Sequence, residues 1–207
     1  MNRPTGAISD CVPGTLCQNR RTQVIETSSV PCCTFLLALL FVASPGYVQA
    51  QTKTEEYRVK AGFLFHFAQL VDWPAGARGG PTFDLCILGD DPFRGELEST
   101  LNGKAIGARP IHVLHLKQAQ EARNCQVLFI STTENQRLPK IFEELGNSAV
   151  MTVGESDDFI DRGGMIRFTL EQEKVRFEIN LKAADPVGLK FSSRLLLLAK
   201  NVFGKQG

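Results

Sequence analysis

Gln126-Val127-Leu128-Phe129-Ile130 is unbroken apolar sequence once past its first residue. A strand wet on one face alternates polar with apolar, and a strand that does not alternate is covered on both. Working outward, Thr82-Phe-Asp-Leu-Cys-Ile-Leu88 has the same character and is stopped by Gly89-Asp90-Asp91-Pro92. Ala149-Val-Met-Thr-Val153 repeats it downstream, and Pro110-Ile-His-Val-Leu-His115 reads as a further strand. Helical stretches lie between. Asp91 can cap a short helix with Pro92 at its first position, running to about Leu101. Gln118–Arg123 forms another. Ser131 and Glu134 have capping-box spacing and open a helix to about Leu145, bent or restarted near Pro139.

Met165–Leu170 and Val175–Leu181 alternate strictly, and Glu171-Gln-Glu-Lys174 joins them as a hairpin. From Thr54 to Val71, Val59, Phe63, Phe67, Leu70 and Val71 recur at helical spacing, and Asp72-Trp73-Pro74 ends that helix. Phe65 and its neighbours put aromatics on more than one side, so a partner or a second layer is expected to cover them. A last helix is expected from Leu189 or Ser193, with Phe191, Leu195, Leu198 and Val202 on one face. The predicted class is α/β: a three-layer single domain, a mixed, mostly parallel sheet, a C-terminal β-hairpin and a terminal amphipathic helix.

The first fifty residues read differently. Arg20-Arg21, the apolar run Phe35-Leu-Leu-Ala-Leu-Leu-Phe-Val-Ala43, the breaker Ser44-Pro45-Gly46 and Val48-Gln49-Ala50 follow the order of a secretory signal. Nine apolar residues would span about 14 Å as a helix, short of a roughly 30 Å hydrocarbon core. Cleavage near Ala50 is therefore expected. It would leave residues 51–207 as one domain, with no membrane insertion of the mature chain. Four of the six cysteines, Cys11, Cys17, Cys32 and Cys33, fall in the leader. Cys86 and Cys125 remain. In an oxidising compartment the pair fits one disulfide, the alternative being two buried thiols.

With 23 basic and 22 acidic residues the chain lacks the positive surface that nucleic-acid binding requires. Asp90-Asp91 at a strand end could hold Mg²⁺, but capping and turn formation account for the pair better. His112 and His115 have a metal-like spacing, yet residues three apart on a strand face opposite sides, so no metal is expected. No Gly-x-Ser-x-Gly elbow marks Ser131, Ser192 or Ser193 as a nucleophile. Gly163-Gly164 is a turn, not a phosphate loop. Neither an enzyme nor a cofactor is expected. A possible ligand site remains: Arg176, Glu178 and Asn180 share one strand face, and Lys190, Ser192, Ser193 and Arg194 open the last helix. A solvated face with an N-cap is the alternative.

These residues resemble a known family. Lys60-Ala-Gly-Phe-Leu-Phe-His-Phe-Ala68, Leu85-Cys-Ile-Leu-Gly-Asp-Asp-Pro-Phe93 and Cys125-Gln-Val-Leu-Phe-Ile-Ser131 are similar to YfiR-type (YfiR/HmsC-like) periplasmic regulators. So are Gly163-Gly-Met-Ile-Arg-Phe168, Val175-Arg-Phe-Glu-Ile-Asn180 and Gly188-Leu-Lys-Phe-Ser-Ser-Arg-Leu-Leu196. The similarity spans roughly residues 57–203. It implies a periplasmic, non-enzymatic homodimer that binds the periplasmic domain of an inner-membrane diguanylate cyclase and holds it off, keeping cyclic-di-GMP and biofilm formation low. It also implies that Cys86 and Cys125 pair. The chain lacks the second cysteine pair that some members carry after residue 145. The surfaces expected to meet a partner or a second copy are Phe63, Phe65 and Phe67 on the aromatic helix and Leu196 and Leu197 near the C-terminus. The alternative is a periplasmic small-molecule-binding sensor subunit of another membrane signalling system.

Overall fold

Strands without alternation need a layer on each face, and the fold supplies both. A computed structural model describes residues 46–78 and 80–205 of the chain; the predicted signal core at 35–43 lies outside them. Helix α1 spans Gly46–Gln69 and is followed by the short strand β1, Val71–Asp72. Next come β2 (Phe83–Leu88), α2 (Glu96–Leu101), β3 (Ala105–Ile106) and β4 (Arg109–Leu116). A 3₁₀ helix over Ala119–Asn124 leads into β5 (Val127–Ile130). A second, over Thr132–Arg137, runs into α3 (Leu138–Leu145). Then follow β6 (Met151–Gly154), β7 (Ile166–Glu171), β8 (Lys174–Asn180), α4 (Leu181–Ala184), β9 (Lys190–Phe191), α5 (Ser193–Leu198) and β10 (Asn201–Phe203).

The main sheet has eight strands in the order β10-β8-β7-β6-β5-β2-β4-β3. The β3–β4 and β7–β8 pairings are antiparallel and the others parallel. This is the mixed, mostly parallel sheet and hairpin that the hydrophobic pattern predicts. β1 pairs with β9 in a separate two-stranded ladder, Val71 opposite Phe191. One sheet face carries Leu85, Ile87, Val127, Phe129, Phe168 and Phe177 against α1 and α2. The other carries Cys86, Leu88, Leu128 and Ile130 against Ala119, Ala122, α3 and Phe159.

Several elements depart from expectation. The buried side of α1 runs through Tyr57, Ala61, Leu64, Phe67 and Ala68, whereas Val59 is exposed and Phe63 half-buried. The inward stripe is thus rotated from the one the large apolar residues mark. Two alanines in it leave room for the helix to lie close to the sheet. Asp91 does not cap a helix: its Oδ1 accepts the Phe93 N–H in a tight turn, and α2 starts only at Glu96. The helix expected after Ser131 begins as 3₁₀ and restarts as α3 with Pro139 in its first turn; no Ser131 side-chain cap forms. The predicted long C-terminal helix is six residues, after which Asn201–Phe203 pairs in parallel with Glu178–Asn180 of β8. No helix among the described residues is long and apolar enough to cross a membrane.

Candidate functional site

Alternation places Arg176, Glu178 and Asn180 on one face of β8, as read from the sequence, but the segment between β6 and β7 covers most of that face. Glu178 and Asn180 are only 3% and 7% exposed. Arg167 of β7, directly opposite, donates from Nε to Glu178 Oε2 at 2.9 Å, and Asn201 Nδ2 donates to Oε1 at 2.7 Å. Asn180 Nδ2 donates to the carbonyls of Ile160 and Gly164, while its Oδ1 accepts from the Lys182 N–H and caps α4. Both side chains are therefore spent on structure, and only Arg176 remains exposed. Burial pushes the Glu178 carboxyl up. The Asn201 and Arg167 hydrogen bonds, with the Arg167 and Lys200 charges, more than offset this and hold it below the ordinary carboxylate value.

The remaining candidates for a ligand site do not join this row. Lys190 sits opposite Asp72 in the separate two-stranded ladder. Ser192 is the N-cap of α5, its Oγ accepting the Leu195 N–H at 3.3 Å, and Ser193 and Arg194 point into solvent. Open α/β sheets bind ligands at the carboxyl ends of strands where the strand order reverses, here between β2 and β5. There the turn after β2 packs directly against the segment after β5. Gly89 has φ +88°, and a Cβ there would lie 2.7 Å from Thr133 Oγ1 and 2.8 Å from Glu134 Cγ.

Cys86 on β2 and Cys125, just before the neighbouring β5, are joined by a disulfide with Cα atoms 6.2 Å apart. It ties the sheet to the 3₁₀ turn beside it on the α3 face.

Of the aromatic residues assigned to a surface, Phe67 is fully buried and packs on Phe168 and Phe177, with centroids 5.6 and 4.8 Å away. It is core, because it falls on the rotated inner stripe of α1. Phe63 lies at the margin, 5.5 Å from Phe177. Val59, Phe63, Leu170 and Val175 line a groove of about 690 Å³ between α1 and the β7–β8 hairpin, flanked by Glu55, Glu56 and Lys174. Phe65 is half-buried beneath the Lys104 ammonium, 4.7 Å from the ring centre.

The most exposed apolar residues follow Leu195. Leu196 is half-buried, whereas Leu197 is 85% and Leu198 64% exposed; Val202 and Phe203, on opposite faces of β10, are exposed to a lesser degree. Among the described residues β10 is also the edge of the eight-stranded sheet. Sequence reading missed Val202 and Phe203 as surface because it carried the helix through them. The available signal was Asn201-Val202-Phe203, where a weak helix former is followed by a β-branched and an aromatic residue that favour strand.

Together these features define a three-layer α/β domain, disulfide-tied, with β10 at one edge of its sheet among the described residues. The chain belongs to the YfiR/HmsC-like family, whose model matches residues 57–200. Its fold is similar to that of a conserved domain protein from Vibrio cholerae O1 biovar El Tor, with a TM-score of 0.50 and 8% identity. That match covers 70% of this chain and 60% of the Vibrio one. A weaker likeness, TM-score 0.44 and 10% identity, is to the ABC domain in complex with L-Trp from Streptococcus pneumoniae, covering 58% of this chain and 55% of that one. The chain thus spans less than two thirds of either solved protein. No curated protein sequence matches it.

Proposed function

We propose that this chain is an exported regulatory protein, released by cleavage near Ala50. In the periplasm it binds the periplasmic domain of an inner-membrane diguanylate cyclase and keeps it inactive, so that cyclic-di-GMP and biofilm formation stay low. The observation that carries this reading is the family match across residues 57–200. The disulfide fits an oxidising compartment. The partner contact is assigned to Leu197, Leu198 and the edge strand β10: an exposed apolar edge is a liability unless something covers it. The homodimer contact is assigned to the Phe65 side of α1. Only Arg176 of the polar row stays open, so Arg176, Glu178 and Asn180 do not offer a small molecule a shared site.

The test is a pull-down from detergent-solubilised membranes of the host under non-reducing conditions, read by mass spectrometry. Recovery of a membrane cyclase with a periplasmic domain, lost when Leu197→Glu and Leu198→Glu are combined, is expected. A kinase or transporter in its place, or equal recovery by the variant, contradicts the reading.

A further inference from the structure

One imidazole and two carboxylates from three separate segments converge beside α2. Asp91 stands in the turn after β2, Glu98 in α2, and His115 near the end of β4. Each offers one ligand atom, and the three atoms lie within 4.8 Å of one another. His115 pairs in register with Ile87, whose side chain faces the α1–α2 layer, so the ring is brought to α2. Its Nε2 is 2.8 Å from Glu98 Oε1. His112 is on the opposite face, with Nδ1 3.8 Å from Asp84 Oδ1, and takes no part.

Within this cluster the Glu98 side chain is 42% exposed, yet its Oε2 is sealed from solvent and has no hydrogen-bond partner among the described residues. A desolvated carboxylate oxygen without a donor is costly, and a cation is the group that satisfies it most directly. We propose that Asp91, Glu98 and His115 form a binding site for a borderline divalent transition-metal ion of the Zn²⁺ type.

The donor set selects the ion. One nitrogen and two carboxylate oxygens suit Zn²⁺ and its neighbours, whereas Ca²⁺ asks for six to eight oxygens and Mg²⁺ for an octahedral oxygen shell. Three protein ligands leave a position for water or for a group from outside. Zinc–ligand bonds run about 2.0–2.2 Å, so the three side chains would have to draw together around the ion. The ion would staple α2 to the ends of β2 and β4. Sequence spacing conceals the site, because the three residues belong to three elements and the visible histidine pair is the wrong one.

Isothermal titration of Zn²⁺ into the untagged protein, as its host produces it, tests the site together with thermal melting. One site per chain is expected to weaken about tenfold or more in His115→Ala and in Glu98→Gln, and to be unchanged in His112→Ala. A melting-temperature rise of roughly 5–10 °C is expected at free Zn²⁺ about a hundredfold above Kd, absent in His115→Ala. All three positions are on or near the surface, so the metal-free melting temperatures of the variants should match the parent. No saturable binding, equal weakening by His112→Ala, or binding that Mg²⁺ reproduces would each overturn the proposal.

Discussion

Glu178 tolerates burial because donors and positive charge surround it: Arg167, Asn201 and the nearby Lys200. Its folded-state pKa is depressed, so its stabilising effect is fully present above the unfolded value and is lost as pH falls through the lower folded one. Glu178→Gln should therefore lower stability by about 2 kcal/mol at neutral pH, since Arg167 loses its counter-charge. The same variant should show a flatter loss of stability than the parent on acidification below about pH 4.5, the ordinary carboxylate value. Urea denaturation across pH 3–7 reads both effects. Phe159 offers a second case at this scale. Its ring lies between Gly154 and Gly164, where an added Cβ would approach within 2.4 and 2.2 Å. Gly164→Ala should displace the ring and cost roughly 1–3 kcal/mol, visible in the same titration. The disulfide closes a separation of 39 residues, and Cys86→Ser with Cys125→Ser should cost about 4 kcal/mol if the bond is unstrained.

The elements show where sequence was informative and where it was not. Non-alternating runs located β2, β5 and β6, and strict alternation located β7 and β8, because burial on two faces or one is written directly into side-chain periodicity. β1, β3, β9 and β10 are two or three residues long, too short to show any period. The polar row on β8 was correctly assigned to one face. What sequence could not reveal was the 155–164 segment folding over it, since that segment has no periodicity and is held by the Asn180 and Arg167 contacts it conceals. Exposure was legible only in part: Leu197 is exposed as read, Phe67 is core, and Val202 was read as helix. The β7–β8 turn yields a prediction of its own. Gln172 and Glu173 have φ of +47° and +63°, the twist of a two-residue hairpin turn that favours Asn-Gly. Replacing the pair by Asn-Gly should stabilise the protein by about 1 kcal/mol, measurable as a raised urea midpoint.

At the scale of the whole molecule, the two layers bury the sheet faces but leave its edges. β3 protects one edge by being two residues long; β10 at the other carries the partly exposed Val202 and Phe203. Side chains exposed as far as Leu197 and Leu198 contribute little to folding, so charging them should leave the melting temperature within about 2 °C of the parent while abolishing partner binding. Phe65→Glu should likewise weaken self-association, read by sedimentation, more than it lowers stability. On the proposed reading the protein works by occupying its partner, so its absence should be felt inside the cell. The most direct measurement is intracellular cyclic-di-GMP in the host with the gene deleted and then restored. The account predicts a rise on deletion, reversal by the parent protein, and no reversal by the combined Leu197→Glu and Leu198→Glu variant accumulating to the same level. Unchanged cyclic-di-GMP on deletion, or full reversal by the variant, would contradict it.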